Sequence, residues 1–303
     1  MDVSDIRLEK ALDEYNSTVN MLEPKGTSYE LVDAYVNRGC ILYMMGYTTS
    51  SIEDLSAASE MIDTLEESGN KVDAGTYVKA HATMGSILFE QGSEIIEEYS
   101  YAMTRLGELN PESKHFDRAG IIRMCIESAE NLLDSEYAEE SKEFVSKGLS
   151  ILEHSTDHWS ENRKMELHTL MGECETSLGN HSSAVESYSA AISIGTALMD
   201  QSALSDMEEL IVPIIARAHS ESELDLKELY IKDMELAISL LEEMQRANRL
   251  ESTDILVNLH QDLASAFISM GRMSEAEKHL MRAVSMGVNG AKDYLDSQGN
   301  NSF

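Results

Sequence analysis

Residues 165–195 read MELHTLMGECETSLGNHSSAVESYSAAISIG, and two helical runs meet there at a glycine. Gly172 lies in the first run, where a missing side chain lets a second helix approach closely. A larger Cβ substituent would hold the two apart. Gly179 ends that run, because glycine enters the left-handed cap conformation without steric cost. Ala184 opens the second run at its contact with the first, Tyr188 is placed to fill the interface with the next unit, and Ala191 is small again near the end. The stretch is a helical hairpin whose close packing is written in its small residues.

The same register recurs on both sides. Residues 258–287 (NLHQDLASAFISMGRMSEAEKHLMRAVSMG) carry Leu263, Ala264, Phe267, Gly271, Ala276, Leu280 and Ala283. Residues 34–61 (AYVNRGCILYMMGYTTSSIEDLSAASEM) carry Gly39, Leu42, Gly46, Ser51, Leu55 and Ala58. Three units are more degenerate. Residues 85–103 keep Gly85 and Leu88, with a turn about two residues short. Residues 125–149 keep Ala129, Leu132 and Gly148, with Glu136 at the turn. Residues 211–241 keep Ala218, Met234 and Ala237, with Asp225 at the turn. Pro213 should kink the first helix of that unit unless it lies in the opening turn. Ala58, Ala102, Gly148, Ala191, Ala237 and Ala283 follow one another at intervals of 43 to 46 residues. Repeats of that length, built only from helices, stack into an array in which each unit buries its apolar face on its neighbours.

This pattern resembles the tetratricopeptide repeat, whose large and small residues run W-x2-L-G-x2-Y, then G, A, F and A. The resemblance covers roughly residues 30–285. The period exceeds the usual 34 residues, so both helices of each unit lengthen to roughly 16–20 residues, as in long-repeat variants. The implied fold is all-α: a right-handed α-solenoid of about six helical hairpins, with capping helices at both ends. One domain is expected over residues 1–303. Residues 1–28 hold a capping helix (DIRLEKALDEYNSTVNML, closed by Pro24), 29–285 the six repeats, and 286–303 a cap with a short helix at 289–296 and a frayed tail. Polar ends of this kind keep a solenoid from extending itself.

Composition narrows the function. Fifty-five acids against 23 bases give a formal charge of -32, and both halves of the chain share it, so neither an acidic tail nor a basic domain is hidden. Nucleic-acid binding needs Lys or Arg to replace phosphate counterions, and no such patch is present. Cys40, Cys125 and Cys174 are far apart and odd in number, excluding a disulfide framework; each is a small apolar residue on the first helix of a repeat. The N-terminus is acidic and amphipathic, unlike a signal peptide, and no apolar run reaches the ~18 residues of a membrane span. A cytoplasmic protein that binds neither membrane nor nucleic acid is expected.

In the family that the pattern resembles, the first helix of each unit lines a concave groove. Carried over by position, the binding residues are Asn37, Tyr43, Met44, Arg123, Glu127, Glu130, Glu166, Leu170, Glu173 and Asp262. The family's carboxylate clamp is rejected, because Val36 and Cys40 stand where Lys and Asn are required. Acids at the groove's centre would repel an acidic tail and attract a basic segment. His154 and His158 lie four apart beside Asp157 and Glu161, but HSTDHWSEN spans a turn and two ligands do not make a zinc site; no metal or cofactor is implied. Met44, Met45, Met165, Met171, Met270, Met273 and Met281 read mostly as core filler, and Trp159 as packed at the start of the fourth hairpin. No phosphate loop or nucleophile elbow appears. The expected function is a non-enzymatic scaffold holding a peptide or protein segment, with an acidic escort of a basic client or a ligand-responsive sensor as alternatives.

Overall fold

The computed structural model describes residues 3–112, 116–250 and 252–286. Among them are thirteen α-helices, one 3-10 turn and no strand. Helix α1 (Val3–Leu22) ends at the turn Glu23–Lys25, which contains Pro24. Six hairpins follow: α2 (Tyr29–Met44) with α3 (Thr48–Glu67), α4 (Ala74–Glu90) with α5 (Ile96–Leu106), and α6 (Arg118–Asp134) with α7 (Ala138–Leu152). The others are α8 (His158–Ser177) with α9 (His181–Asp200), α10 (Glu208–Glu223) with α11 (Lys227–Arg246), and α12 (Asp254–Ser269) with α13 (Met273–Ser285). The short helix expected at 289–296 and the tail after it lie outside the described residues.

The chain divides into two compact units, Met1–His154 and Ser155–Phe303. In the first, α2, α4 and α6 lie side by side, and α3 and α5 pack behind them. In the second, α10 packs on both α8 and α9, and α11 on α12. The periodic small residues are the contact points: Ala58, Ala102, Ala191, Ala237 and Ala283 are fully buried and Gly148 is buried. A Cβ on Gly172 would come within 2.4 Å of the Tyr188 ring, and one on Gly39 within 3.0 Å of Leu55. This adds to one expectation. Leu55 and Tyr188 fill the seam inside their own hairpin, since the glycine opposite leaves a hole that only a large side chain closes.

All six hairpins turn in the same way. After α8, Gly179 adopts φ +75, and the Asn180 amide donates to the Glu175 carbonyl at 2.8 Å. This is the Schellman closure that satisfies the helix's last carbonyls. Glu136 and Asp225 adopt the same left-handed conformation, at φ 68 and 58, and make the same backward bond from Tyr137 and Leu226. The closure therefore survives loss of glycine, with strain that the packed hairpin absorbs. In the second hairpin Gly92 holds the turn, and the two missing residues fall after it, leaving α5 only 11 residues long. Its Tyr99 still meets Gly85.

Four first helices carry side-chain caps: Ser28, Asp73, Asp117 and Asp157 accept from amides in the opening turns of α2, α4, α6 and α8, which satisfies otherwise orphaned donors. Pro213 lies in the second turn of α10, which runs through it without interruption. Trp159 is 43% exposed, contrary to expectation. Asn162 takes the inward position of that turn and donates to the carbonyls of His158 and Ala203. Three of the seven methionines read mostly as core filler are also corrected. Met165 is buried, but Met44, Met273 and Met281 are exposed, and Met45, Met171 and Met270 are half-buried.

Candidate functional site

Helices α2, α4 and α6 present one polar face, tied together by bonds between residues a repeat apart. Thr76 donates to Asp33 at 2.8 Å. The Lys79 ammonium donates to Asn37 at 3.2 Å and to Asp117 at 2.8 Å, joining all three helices. Cys40 Sγ and Thr83 Oγ1 meet at 3.2 Å. At the far end, the Tyr43 hydroxyl lies 3.0 Å from Glu90 and 2.9 Å from Glu127. Successive contacts lie three or four residues apart along α2 and three, four and seven apart along α4, which places them along one stripe of a helix with 3.6 residues per turn.

Between the opening turns of these helices and α1 lies a cleft of about 1040 Å³, lined by Tyr15, Thr18, Tyr29, Glu30, Asp33, Lys79 and Asp117 among others. Five carboxylates and two ammonium groups face it. Lys71 pairs with Glu108 at 2.7 Å and Lys79 with Asp117, so Glu30, Asp33 and Asp73 have no lysine of the cleft opposite them. Burial raises the Tyr15 hydroxyl, and Asp33 and Asp117 raise it further. Burial is the strongest influence on the Asp117 carboxyl and works to raise it too, but the bond and charge of Lys79, the Gly120 amide and the Arg123 charge together outweigh it and the net shift is downward. The cleft is a negative, partly shielded environment in which Asp117 and Glu108 are held below the ordinary carboxylate range.

The Tyr43 end is more strained electrostatically. A phenol has one proton to give, and two carboxylates compete for it. Burial first, then Glu127, push the Tyr43 hydroxyl well above its ordinary value. Burial raises Glu130, three residues on, and Glu127 and Asp134 add to the effect. Arg123 is exposed one turn before Glu127, with no carboxylate in ion-pair distance among the described residues.

The structure thus brings together Asn37, Tyr43, Met44, Arg123, Glu127 and Glu130 on the first unit. Glu166, Leu170, Glu173 and Asp262 belong to the second and are described separately. Leu170 is 6% exposed, so its assignment to an open groove wall is corrected: it is a core residue of α8. Glu166 is half-buried and pairs with Arg163 at 2.5 Å. Glu173 is half-buried and Asp262 exposed. Tyr15, Thr76, Glu90 and Asp117 were not foreseen. The spacing of 43 to 47 residues between bonded partners could have found Thr76 and Glu90, but Tyr15 lies on a helix outside the repeat. Among the described residues, no group of three or more His, Cys, Asp or Glu is placed to hold a metal ion, and no helix is long and apolar enough to cross a membrane. His158 begins α8 and meets Gln201 at 3.3 Å.

Residues 257–286, which span most of α12 and all of α13, match the family model described as Tetratricopeptide repeat. No curated protein matches the sequence. Among solved structures, the apo form of RapI is 12% identical, with 92% of this chain and 76% of that one covered and a TM-score of 0.57. BtubC (BKLC) from P. vanneervenii is 13% identical, with 92% and 90% covered and a TM-score of 0.51. Likeness at such identities is likeness of fold. With one matched repeat and the same small-residue register in all six hairpins, the chain is a tetratricopeptide-repeat-like, all-α solenoid protein.

Proposed function

We propose that this chain is a non-enzymatic interaction scaffold that binds a peptide or protein segment bearing cationic side chains on the α2–α4–α6 face. The observation that carries the reading is the convergence of Glu90 and Glu127 on the single proton of Tyr43. One of the two carboxylates is always left without it, and a lysine or arginine of a partner supplies the missing donor and charge. The cleft at the opposite end, with five carboxylates against two ammonium groups, favours the same sign of partner. Complementary charge of this kind sets specificity and association rate more than affinity.

The test uses fluorescent peptides of equal length, one series containing Lys and Arg and the other neutral. The basic series binds, and its affinity falls as ionic strength shortens the ~10 Å screening length at 0.1 M. Binding of the neutral series alone would remove the reading. If only whole basic proteins bind, and salt abolishes binding completely, the narrower role of an escort is favoured over that of a peptide-binding scaffold.

A further inference from the structure

Glu221 lies in the last turn of α10, three residues after the small residue Ala218. The same position holds Leu42, Leu88, Leu132 and Phe267 in four other hairpins, and a half-buried Glu175 in the fourth. Glu221 is only 4% exposed, and its Oε2 has no hydrogen-bond partner among the described residues. A carboxyl therefore occupies a slot that four of the six hairpins fill with hydrocarbon.

The nearest cation on its own helix is already engaged. Arg217, one turn earlier, directs Nε and Nη2 to the two oxygens of Asp233 at 2.6 and 2.8 Å and Nη1 to Ser189. From α11, Asp233 repels a charge on Glu221 and Lys232 attracts it. Hydroxyls of α8 and α9 bond this part of α10, Thr176 to Ser220 and Ser189 to Arg217. An unpaired buried carboxylate is costly, whereas the neutral acid is far less so.

We propose that Glu221 is a proton-binding site whose ionisation loosens the α10–α11 hairpin, making the second unit responsive to pH. Burial foremost, and then Asp233, hold its carboxyl up at about 7. The opened hairpin returns Glu221 to water and to the ordinary carboxylate range, where it is ionised throughout. Raising the pH through 7 therefore takes a proton from the closed form only, and opening becomes easier. Between pH 6 and 8 the opening constant should rise roughly tenfold.

Two measurements on the full chain decide it. Carbon-13 titration of glutamate carboxyls, with the Glu221 signal assigned by its loss in E221Q, should give a midpoint near 7; a midpoint near 4.5 overturns the proposal. Hydrogen exchange of α10 and α11 amides, corrected for the intrinsic pH dependence, should show the tenfold rise in the native chain. The rise should vanish in E221Q and in E221L, which restores the residue type of the first hairpin. An equal rise in E221Q would also overturn it, whether or not E221L folds.

Discussion

Gly172 and Tyr188 face each other so closely that the ring of one occupies the place where the other would carry a side chain, 2.4 Å from an ideal Cβ. In the sixth hairpin the matching residues are Ala264 and Leu280, a larger residue facing a smaller one. Each seam is filled by the pair, not by either member.

Gly172→Ala should therefore overpack the fourth hairpin and lower stability by about 1–3 kcal/mol, despite the better helix propensity of alanine. Gly172→Ala with Tyr188→Leu recreates the sixth hairpin's pair and should recover most of the loss. Urea titration of the two variants checks this; no recovery would mean that the seam does not set the cost.

Arg38 clamps Asp54 through two bonds of 2.6 Å, and Arg217 clamps Asp233 at the equivalent repeat position. Asp54→Ala leaves a mostly buried guanidinium without its anion, so a loss of about 3 kcal/mol is expected. Asp233→Ala should cost a similar amount. The pairs share no partner, and the two losses should add in the double variant. Chemical denaturation measures all three.

His260 and His279 meet Nδ1 to Nδ1 at 2.9 Å, an arrangement that requires one ring to accept and so to be neutral. Burial first, then His279 and Arg282, hold His260 down at about 4, and burial lowers His279. The unfolded chain takes up these protons near pH 6.5 and the folded one only below that. Stability is thus complete above about pH 6.5 and should fall by roughly 2–3 kcal/mol as pH drops towards 4. The second hairpin pairs His81 with Glu98 at the same position. Melting curves of His279→Glu across this range should show a weaker acid dependence than the native chain.

Glu127→Gln removes one of the two charges around Tyr43. Relief of that repulsion should stabilise the first unit slightly, by about 1 kcal/mol or less, while weakening any cationic peptide severalfold. Opposite signs in the melting temperature and the peptide affinity mark a residue kept for binding. If both fall together, Glu127 is structural.

The number of hairpins was legible in the sequence because close helix packing excludes all but the smallest side chains. Ala58, Ala191 and Ala283 mark those contacts wherever the chain is read. The turn position was equally legible, even at Glu136 and Asp225, since the closure is made by backbone amides. Which face a residue points to was harder to read. Leu170, Trp159 and the exposed methionines show that an apolar side chain on an amphipathic helix is inside or outside by a rotation of a few tens of degrees.

What the sequence by itself determined is the repeated hairpin, because its cause is local: a small residue opposite a large one at a set distance along the chain. What only the tertiary structure decided is the pairing across hairpins. Lys79 reaches Asp117, and Tyr43 stands between Glu90 and Glu127, because neighbouring first helices lie side by side. Charge balance at a surface depends on which groups meet in space, and a list of acids and bases contains no such distances.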